Sequence, residues 1–400
     1  MRILVTGNLS YHQESAAKFR VLEVVRALEA LGHQVVVFDA LSPAPATPYG
    51  DGAPVAYVRK QPARGALQRV AEKIGIGFSL LLQPWGQERF DAVYCYGSEL
   101  SWLLATWRFA RRQQARLIVD VTELYGFEEM FGSFAAFRAR IGGWIGLFPG
   151  IPLLADGIAV PSSRFHRFFR RFRGAVQLLP PFFSDLGAAR SDPPETEVLA
   201  LSYAGSPSNK EWLSLIFRAL DGMPVSDSRR IRFDLVGLSN ADVDAVVRGS
   251  GAETLLGRAD LQIEARGRTS PQAARAVVRA SDFSIVIRRR SVRVNFGFPS
   301  KVAEAFRLGT PVISNAYSDM TDYLRDGVNG LALRAETAEA LGEVLERARA
   351  MGAAERAAMR QAAGETGLRF FSRERASGTL KLLLEGPGCR EESGAARESL

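Results

Sequence analysis

The chain has 400 residues, 47% of them hydrophobic and 24% charged, which implies roughly two domains with cores of their own and excludes a disordered or fibrous protein. Two cysteines, Cys95 and Cys389, exclude a disulfide framework and a metal-ligand spacing, and predict a reducing cytoplasm. A net charge of +8 favours polyanionic partners, either nucleic acid or the anionic face of a membrane.

MRILVTG passes directly into a strand, so the expectation is a chain without a signal peptide that stays inside the cell. Buried strands are predicted over 2–6, 34–39, 92–96, 117–121 and 157–160, and helices over 15–31, 98–113 and a broken stretch within 134–154. No apolar run reaches the roughly 20 residues of a membrane span. The nearest, 141–160, is interrupted by glycines, Pro149, Pro152 and Asp156. The proline-rich LPPFFSD and the polar run to SDPPE then read as a linker ending at 195.

The alternation resumes with strands 198–204, 231–236, 262–265, 282–287 and 311–314, and helices 209–220, 241–249, 271–280 and 300–308. A last helical pattern covers 368–385, before the polar, short-sided GPGCREESGAARESL. The expected organisation is α/β, with two doubly wound Rossmann-like domains facing across a cleft, 1–185 and 196–366, then a helix 367–385 and a disordered tail 386–400. Ligands of such sheets sit beyond the carboxyl ends of the strands.

Residues 296–315, FGFPSKVAEAFRLGTPVISN, place a glycine-proline loop ahead of a helix and then a buried strand. Amides at a helix start, with the helix dipole behind them, attract anions, so Gly297, Phe298, Pro299, Ser300 and Lys301 suit a diphosphate. Glu304, at i+3 from Lys301, shares its face and has the acceptor oxygens for two ribose hydroxyls. Together they suit a nucleotide. The pattern resembles the donor-binding segment of retaining, nucleotide-sugar-dependent glycosyltransferases of the GT-B fold, family four, which reads Glu-Gly-Phe-Gly, four residues, then Glu-Ala-Met-Ala-x-Gly-x-Pro-Val. Gly297, Phe298, Glu304, Gly309, Pro311 and Val312 match, whereas Phe296 stands in place of the first glutamate, which in the family touches the donor sugar. The Pro-Ser/Thr-Lys variant is familiar among bacterial cell-surface polysaccharide transferases.

YAGSPSNKEW, 203–212, resembles the family's glycine turn, which reads Gly-Arg, several residues, then Lys-Gly. Gly205 and Lys210 match, with Lys210 at the expected helix start, and Ser206 replaces the arginine. A missing cation must then come from elsewhere, and Arg288, Arg289, Arg290 and Arg293 are the candidates. DGVNG at 326–330 resembles the Asp-Gly-x-x-Gly turn, and Gly267 and Arg268 occupy the place where the family's backbone meets the nucleobase. The resemblance covers about 197–335. It implies that the first domain takes the acceptor, through the loop Gly7–Lys18 with His12 and through DVTELYGFEE, where Thr122 replaces a family histidine and Asp120 and Glu123 remain.

Each residue also has a plainer reading. Alone, Glu304, Lys301 and Lys210 are surface charges, and only the surrounding matches turn them towards a donor. His33 belongs to a helix-to-strand turn. Asp120 and Glu123 can serve packing as readily as an acceptor. Asp242-Val-Asp244 imitates a metal motif but opens a helix after Ser239-Asn240, where acids cap, so no metal is assigned. RFHRFFRRFRG, 164–174, interleaves five arginines with four phenylalanines; it is either a half-packed helix or a surface for anionic lipid. The neighbouring aromatic stretch 130–154 favours lipid, and a lipid-linked acceptor explains both.

The resemblance implies sugar transfer from a nucleotide-sugar to a glycan or lipid-linked acceptor, with retention by a front-face route, no metal and no cofactor. Lys210, Glu304 and Glu123 carry the chemistry, and closing domains exclude water. The alternatives are a nucleotide-sugar 2-epimerase and a non-catalytic partner subunit that lost its donor site. Nucleic acid is not an expected partner, since no recognised module for it is present.

Overall fold

A computed structural model of the chain describes residues 1–7, 15–39, 55–57, 79–82, 85, 87–126, 134–184, 186, 198–205, 210–225 and 230–386. His12, the linker between 187 and 197, Ser206, residues 127–133 with the start of the aromatic stretch, and the tail after Gly386 with Cys389 lie outside the described residues. The chain divides into two compact units: Met1–Ser184 with Phe296–Phe298 and Arg373–Leu400, and Asp185–Asn295 with Pro299–Ser372.

The first unit is built in the order β1 Arg2–Gly7, α1 Ala16–Ala30, β2 Gln34–Asp39, β3 Val55–Tyr57, α2 Ser79–Leu82, β4 Ala92–Tyr96, α3 Leu100–Gln113, β5 Arg116–Asp120, α4 Phe134–Ile145, α5 Ile151–Leu154, β6 Gly157–Val160, α6 Ser163–Phe168 and β7 Ala175–Leu178. Its seven strands lie in the order β3-β2-β1-β4-β5-β6-β7, and every pairing is parallel. Strands buried on both faces need continuous apolar runs, and VVVF in β2 and GIAV in β6 supply them. Helix α1 starts where the Ser15 hydroxyl accepts the Lys18 amide at 3.1 Å, and it buries Val21, Val24, Val25 and Leu28, spaced for one face.

The stretch expected as a broken helix within 134–154 is α4, a π-helical turn Gly146–Gly150 containing Pro149, and α5. Proline removes an intrahelical donor there and forces the wider turn. Arginine-rich 164–174 is helical only to Phe168 and then turns.

The second unit runs β8 Val198–Ala204, α7 Leu213–Gly222, β9 Arg230–Val236, α8 Asn240–Ser250, β10 Leu261–Gly267, α9 Pro271–Ala280, β11 Phe283–Val286, α10 Val292–Phe296, α11 Ser300–Arg307, β12 Val312–Ser314, α12 Met320–Tyr323, β13 Gly330–Ala332, α13 Ala338–Ala350 and α14 Ala353–Phe371. Residue Phe296, the last of α10, counts with the first unit. The sheet order is β10-β9-β8-β11-β12-β13, again all parallel. The chain thus winds outward from β8 in one direction, returns, and winds outward from β11 in the other. That makes the carboxyl ends of β8 and β11 a topological switch point, where loops diverge and a ligand finds room.

Two departures from the expected elements bear on the site. The helix expected over 209–220 starts at Leu213, because Glu211 forms an antiparallel bridge with Arg288 that a helical residue could not make. Trp212 N–H donates to Ile287 O at 2.9 Å and Arg289 N–H to Lys210 O at 3.1 Å. The pattern expected as one helix over 368–385 is the end of α14 and a separate α15, Arg373–Glu385, parted at Ser372, whose extended backbone (φ −87°, ψ 160°) cannot continue a helix. Helix α15 packs in the first unit through Ala376, Leu380 and Leu383.

Candidate donor site in the second unit

Strand β8 delivers Tyr203, 1% exposed, to the switch point, and Gly205 follows with φ +142°. That backbone conformation favours glycine, and a Cβ on Gly205 would displace Cε and Nζ of Lys301 from where they stand. The glycine of the YAG turn therefore makes room for the lysine of the Pro-Ser-Lys segment.

Lys301 lies in the first turn of α11, after Pro299 at the N-cap and Ser300 at its first position; no side chain caps this helix. Its Nζ sits 4.3 Å over the Tyr203 ring, donates to Tyr203 OH at 3.0 Å and to Glu211 Oε1 at 3.0 Å. The same Glu211 Oε1 accepts Arg288 Nη2 at 3.1 Å, and side-chain exposures of 4% for Glu211 and 10% for Arg288 leave this pair little water. Asn315, following β12, fixes the Arg288 backbone from both sides: Arg288 N–H donates to Asn315 Oδ1 at 3.0 Å, and Asn315 Nδ2 donates to Arg288 O at 2.9 Å.

Two cations and one carboxylate leave these three side chains one positive charge in excess. Burial pushes the Lys301 ammonium well below the ordinary lysine value, to about 8; Glu211 opposes the shift, and Arg288 and Lys210 reinforce it. The Tyr203 phenol moves far upward, through burial and then Glu211, so it stays a neutral donor.

Glu304, one turn on, has a different partner: Arg275 Nε of α9 lies 2.7 Å from Glu304 Oε1, with about a quarter of each side chain exposed. Lys301 and Glu304 share α11 but turn to separate elements. Lys210 stands three residues before α7, partly exposed, beside the bridge. Gly267 ends β10 with φ +60° and Arg268 beyond it is exposed. Of the arginine run, Arg288 joins the cluster, Arg289 lies over Trp212 at 5.5 Å, and Arg290 pairs with Glu336 at 2.7 Å.

Gly297 and Phe298 count with the first unit, as does Phe296. The Phe296 ring meets Phe165 of α6 at 5.0 Å and its carbonyl accepts the Ser162 hydroxyl at 2.6 Å. The position of the family's first glutamate is thus an aromatic packing position. In the loop after β5, Glu123 Oε2 accepts Tyr125 OH at 2.7 Å, while Asp120 is fully buried and takes Arg20 through both oxygens, at 2.7 and 2.8 Å. Cys95 is buried, its thiol pushed up to about 12.

Asp242 completes a capping box with Ser239, whose hydroxyl and amide hold its carboxyl below the ordinary range, and Asp244 faces Arg248 at 3.8 Å. Among the described residues no three His, Cys, Asp or Glu side chains gather where they could hold a metal ion. A cavity of about 450 Å³ lined by Arg111, Gln114, Arg116 and Asp156 opens at the amino end of β5, the end of that strand opposite Asp120.

Glu211, Tyr203, Arg275 and Asn315 are members of the site that sequence reasoning did not reach. One signal was there for Glu211: it stands where the family's turn reads Lys-Gly, and an acid in place of a glycine beside a lysine invites the question of what it pairs with.

Two parallel doubly wound sheets, the second with a cationic cluster at its switch point, define a GT-B fold. Solved structures share it: sucrose-phosphate synthase of Thermosynechococcus elongatus (TM-score 0.72, 14% identity, 95% of this chain and 98% of that one), HepE of Anabaena in complex with UDP and glucose (0.64, 14%, 95% and 98%), and WaaG, a glycosyltransferase involved in lipopolysaccharide biosynthesis (0.62, 14%, 94% and 98%). Residues 16–179 match the glycosyl transferase 4-like domain and residues 200–349 match glycosyl transferases group 1. The chain belongs to this family of group 1, four-like glycosyltransferases, nucleotide-sugar-dependent enzymes that are typically retaining and metal-independent. No curated protein matches it in sequence. Among the described residues no helix is long and apolar enough to cross a membrane.

Proposed function

We propose that the chain transfers a sugar, with retention, from a nucleoside-diphosphate sugar held by the second unit to a glycan or lipid-linked acceptor of cell-surface polysaccharide synthesis. The observation that carries this reading is the excess positive charge at the switch point, with Arg288 buried and Lys301 19% exposed at its side chain. A lysine held above an aromatic ring, beside an arginine and with only one carboxylate between them, favours an incoming anion with more than one negative charge. As the bond from the anomeric carbon to the diphosphate breaks, negative charge builds on the phosphate oxygens. In this reading Lys301 and Arg288, with Lys210 and the first-turn amides of α11 at Ser300 and Lys301, stabilise it. Gly205, without a side chain, lets the diphosphate approach the turn closely, Gly267 and Arg268 border the base, and Glu304, steadied by Arg275, accepts the ribose hydroxyls. Glu123 meets the acceptor hydroxyl in the first unit, and the departing phosphate assists its deprotonation.

The surface of the first unit supports the lipid-linked acceptor in this reading. Ile141, Ile145, Phe148, Leu153 and Phe168 are exposed, Leu153 by 78%, and Arg164, Arg167, Arg170 and Arg171 are exposed on and just after α6. Phe148 stacks on Trp144 at 4.6 Å and meets Phe168 edge-on at 5.2 Å, which joins the apolar residues to the arginines. Apolar side chains next to guanidinium groups complement an anionic bilayer surface, where a lipid-linked acceptor resides. The protein is expected to sediment with phosphatidylglycerol vesicles and not with neutral ones, and Phe148→Ser with Leu153→Ser to abolish this.

The donor reading is tested by thermal shift with UDP, GDP, ADP and dTDP against wild type and Glu304→Ala. HepE's complexes contain UDP and UDP-glucose, so UDP-glucose is the first sugar donor to try. Stabilisation of wild type alone by one nucleotide names the base. Absence of a shift with every nucleotide overturns the reading.

A further inference from the structure

Glu211 has no evident task in binding a donor. Its carboxylate would repel a diphosphate, and with its side chain 4% exposed it is not placed to meet a solvated ligand. Nor is it a loose surface acid that happens to point inward. Its backbone is bridged to Arg288, its neighbour Trp212 is hydrogen bonded to Ile287 O, and Arg288 in turn is locked to Asn315. A carboxylate held this firmly, with one oxygen shared by Lys301 Nζ at 3.0 Å and Arg288 Nη2 at 3.1 Å, fixes where both cations stand.

We propose that Glu211 is a positioning residue, which holds Lys301 and Arg288 together as the cation pair that receives the donor diphosphate. This deepens the donor reading and rests on it. Without the carboxylate, two like charges would face each other in a site with little water, and they would separate or one would be lost. The arginine cannot give up its proton. The lysine can, since burial already works against its ammonium, Arg288 and Lys210 add to that, and Glu211 is the carboxylate opposing them; Tyr203 is neutral, and Glu304 on the same helix is engaged with Arg275. Glu211 therefore keeps Lys301 charged as well as aimed. A diphosphate arriving with several charged oxygens can engage both cations without displacing the acid, because the acid occupies one side of each and leaves other N–H groups to the ligand.

The test uses the full chain with its lysines labelled at Cε, and follows Lys301 by NMR through a pH titration, with Lys301→Arg identifying the signal. In wild type the signal is expected to titrate near 8. In Glu211→Gln it moves down by about one unit or more, and Glu211→Asp restores most of the shift. Donor turnover is measured alongside. Its high-pH limb moves down with the lysine in Glu211→Gln, turnover near neutral pH falls about tenfold, and KM for the donor changes less than kcat. An unmoved Lys301 titration overturns the proposal, as does an activity loss equal at every pH, which is what a purely structural acid would give. Should Glu211→Gln fail to fold, Lys301→Arg decides: a permanent charge beside Glu211 abolishes the high-pH limb, and its persistence overturns the proposal. A wild type that binds no nucleoside diphosphate refutes the donor reading itself, and is told apart because the Lys301 titration needs no ligand.

Discussion

Each sheet ends in a buried ion cluster, and the two differ in charge balance. In the first unit Arg20 and Asp120, with side chains 8% and 0% exposed, form a closed pair: one cation, one anion, two short hydrogen bonds, and a third from Arg20 to Leu179 O at 2.9 Å. In the second, Glu211 answers two cations and a positive charge is left over. A balanced pair has no call for a ligand and ties β5 to α1 and to the end of β7. An unbalanced one is costly to bury unless something else neutralises it in use. The difference sets a structural pair apart from the cluster proposed to receive the donor, although both look alike as sequence: scattered acids and bases at strand ends and on helices.

The largest expected effect breaks the balanced side. Asp120→Ala leaves a buried arginine without its counter-charge and should lower unfolding free energy by about 3–5 kcal/mol, read by urea denaturation. Nucleotide-induced stabilisation should persist in the folded fraction at low temperature, since the second unit keeps its cluster. Loss of nucleotide binding with unchanged stability would reverse the comparison.

Next in size is the unbalanced side. Lys301→Met removes the excess charge, and turnover should fall about 10²–10³-fold, the scale of losing one preorganised group that meets developing negative charge. Folding should not suffer, because the variant exchanges a desolvated ammonium for an apolar side chain of similar length. A variant retaining wild-type kcat would remove Lys301 from the reaction. Glu304→Ala should act more mildly, weakening nucleotide affinity by about tenfold or more through lost ribose contacts, as read by calorimetry. Its partly exposed pair with Arg275 is worth no more than about 1 kcal/mol to stability, so the melting temperature should scarcely move.

The strands were legible because parallel strands buried on both faces must be continuous apolar runs; 198–204 and 34–39 are β8 and β2 residue for residue. The acids at 242 and 244 could be read as cap and surface charge because Ser239 precedes them. Lys210 was misplaced at a helix start for a physical reason. Local periodicity sees the amphipathic run from Leu213 onward, but the bridge that takes Glu211 out of the helix is made with Arg288, and Glu211 and Arg288 are 77 positions apart. The same limit hid Arg275, 29 positions from Glu304. Motifs indicate which loops gather at a switch point, whereas the partners inside the cluster are set by sheet order, which no local window contains.

The smallest effect is the one that most sharply separates function from stability, because pH should move them in opposite directions. Burial disfavours the Lys301 ammonium, so its folded value of about 8 lies below the ordinary 10.5. Below about 8 both folded and unfolded chains hold the proton, and the cost of burying the charge is present in full. Between about 8 and 10.5 the unfolded chain still binds the proton and the folded one has released it, so this residue's contribution to stability rises with pH. Turnover needs the ammonium and should fall over the rise through about 8. Urea denaturation of wild type and Lys301→Met, near neutral pH and near pH 10, isolates the lysine. Wild type should gain on the variant as pH rises, while its activity declines. A parallel fall of both would mean that the Lys301 charge stabilises the fold, and that the cluster at the end of β8 is another balanced pair like Arg20 and Asp120.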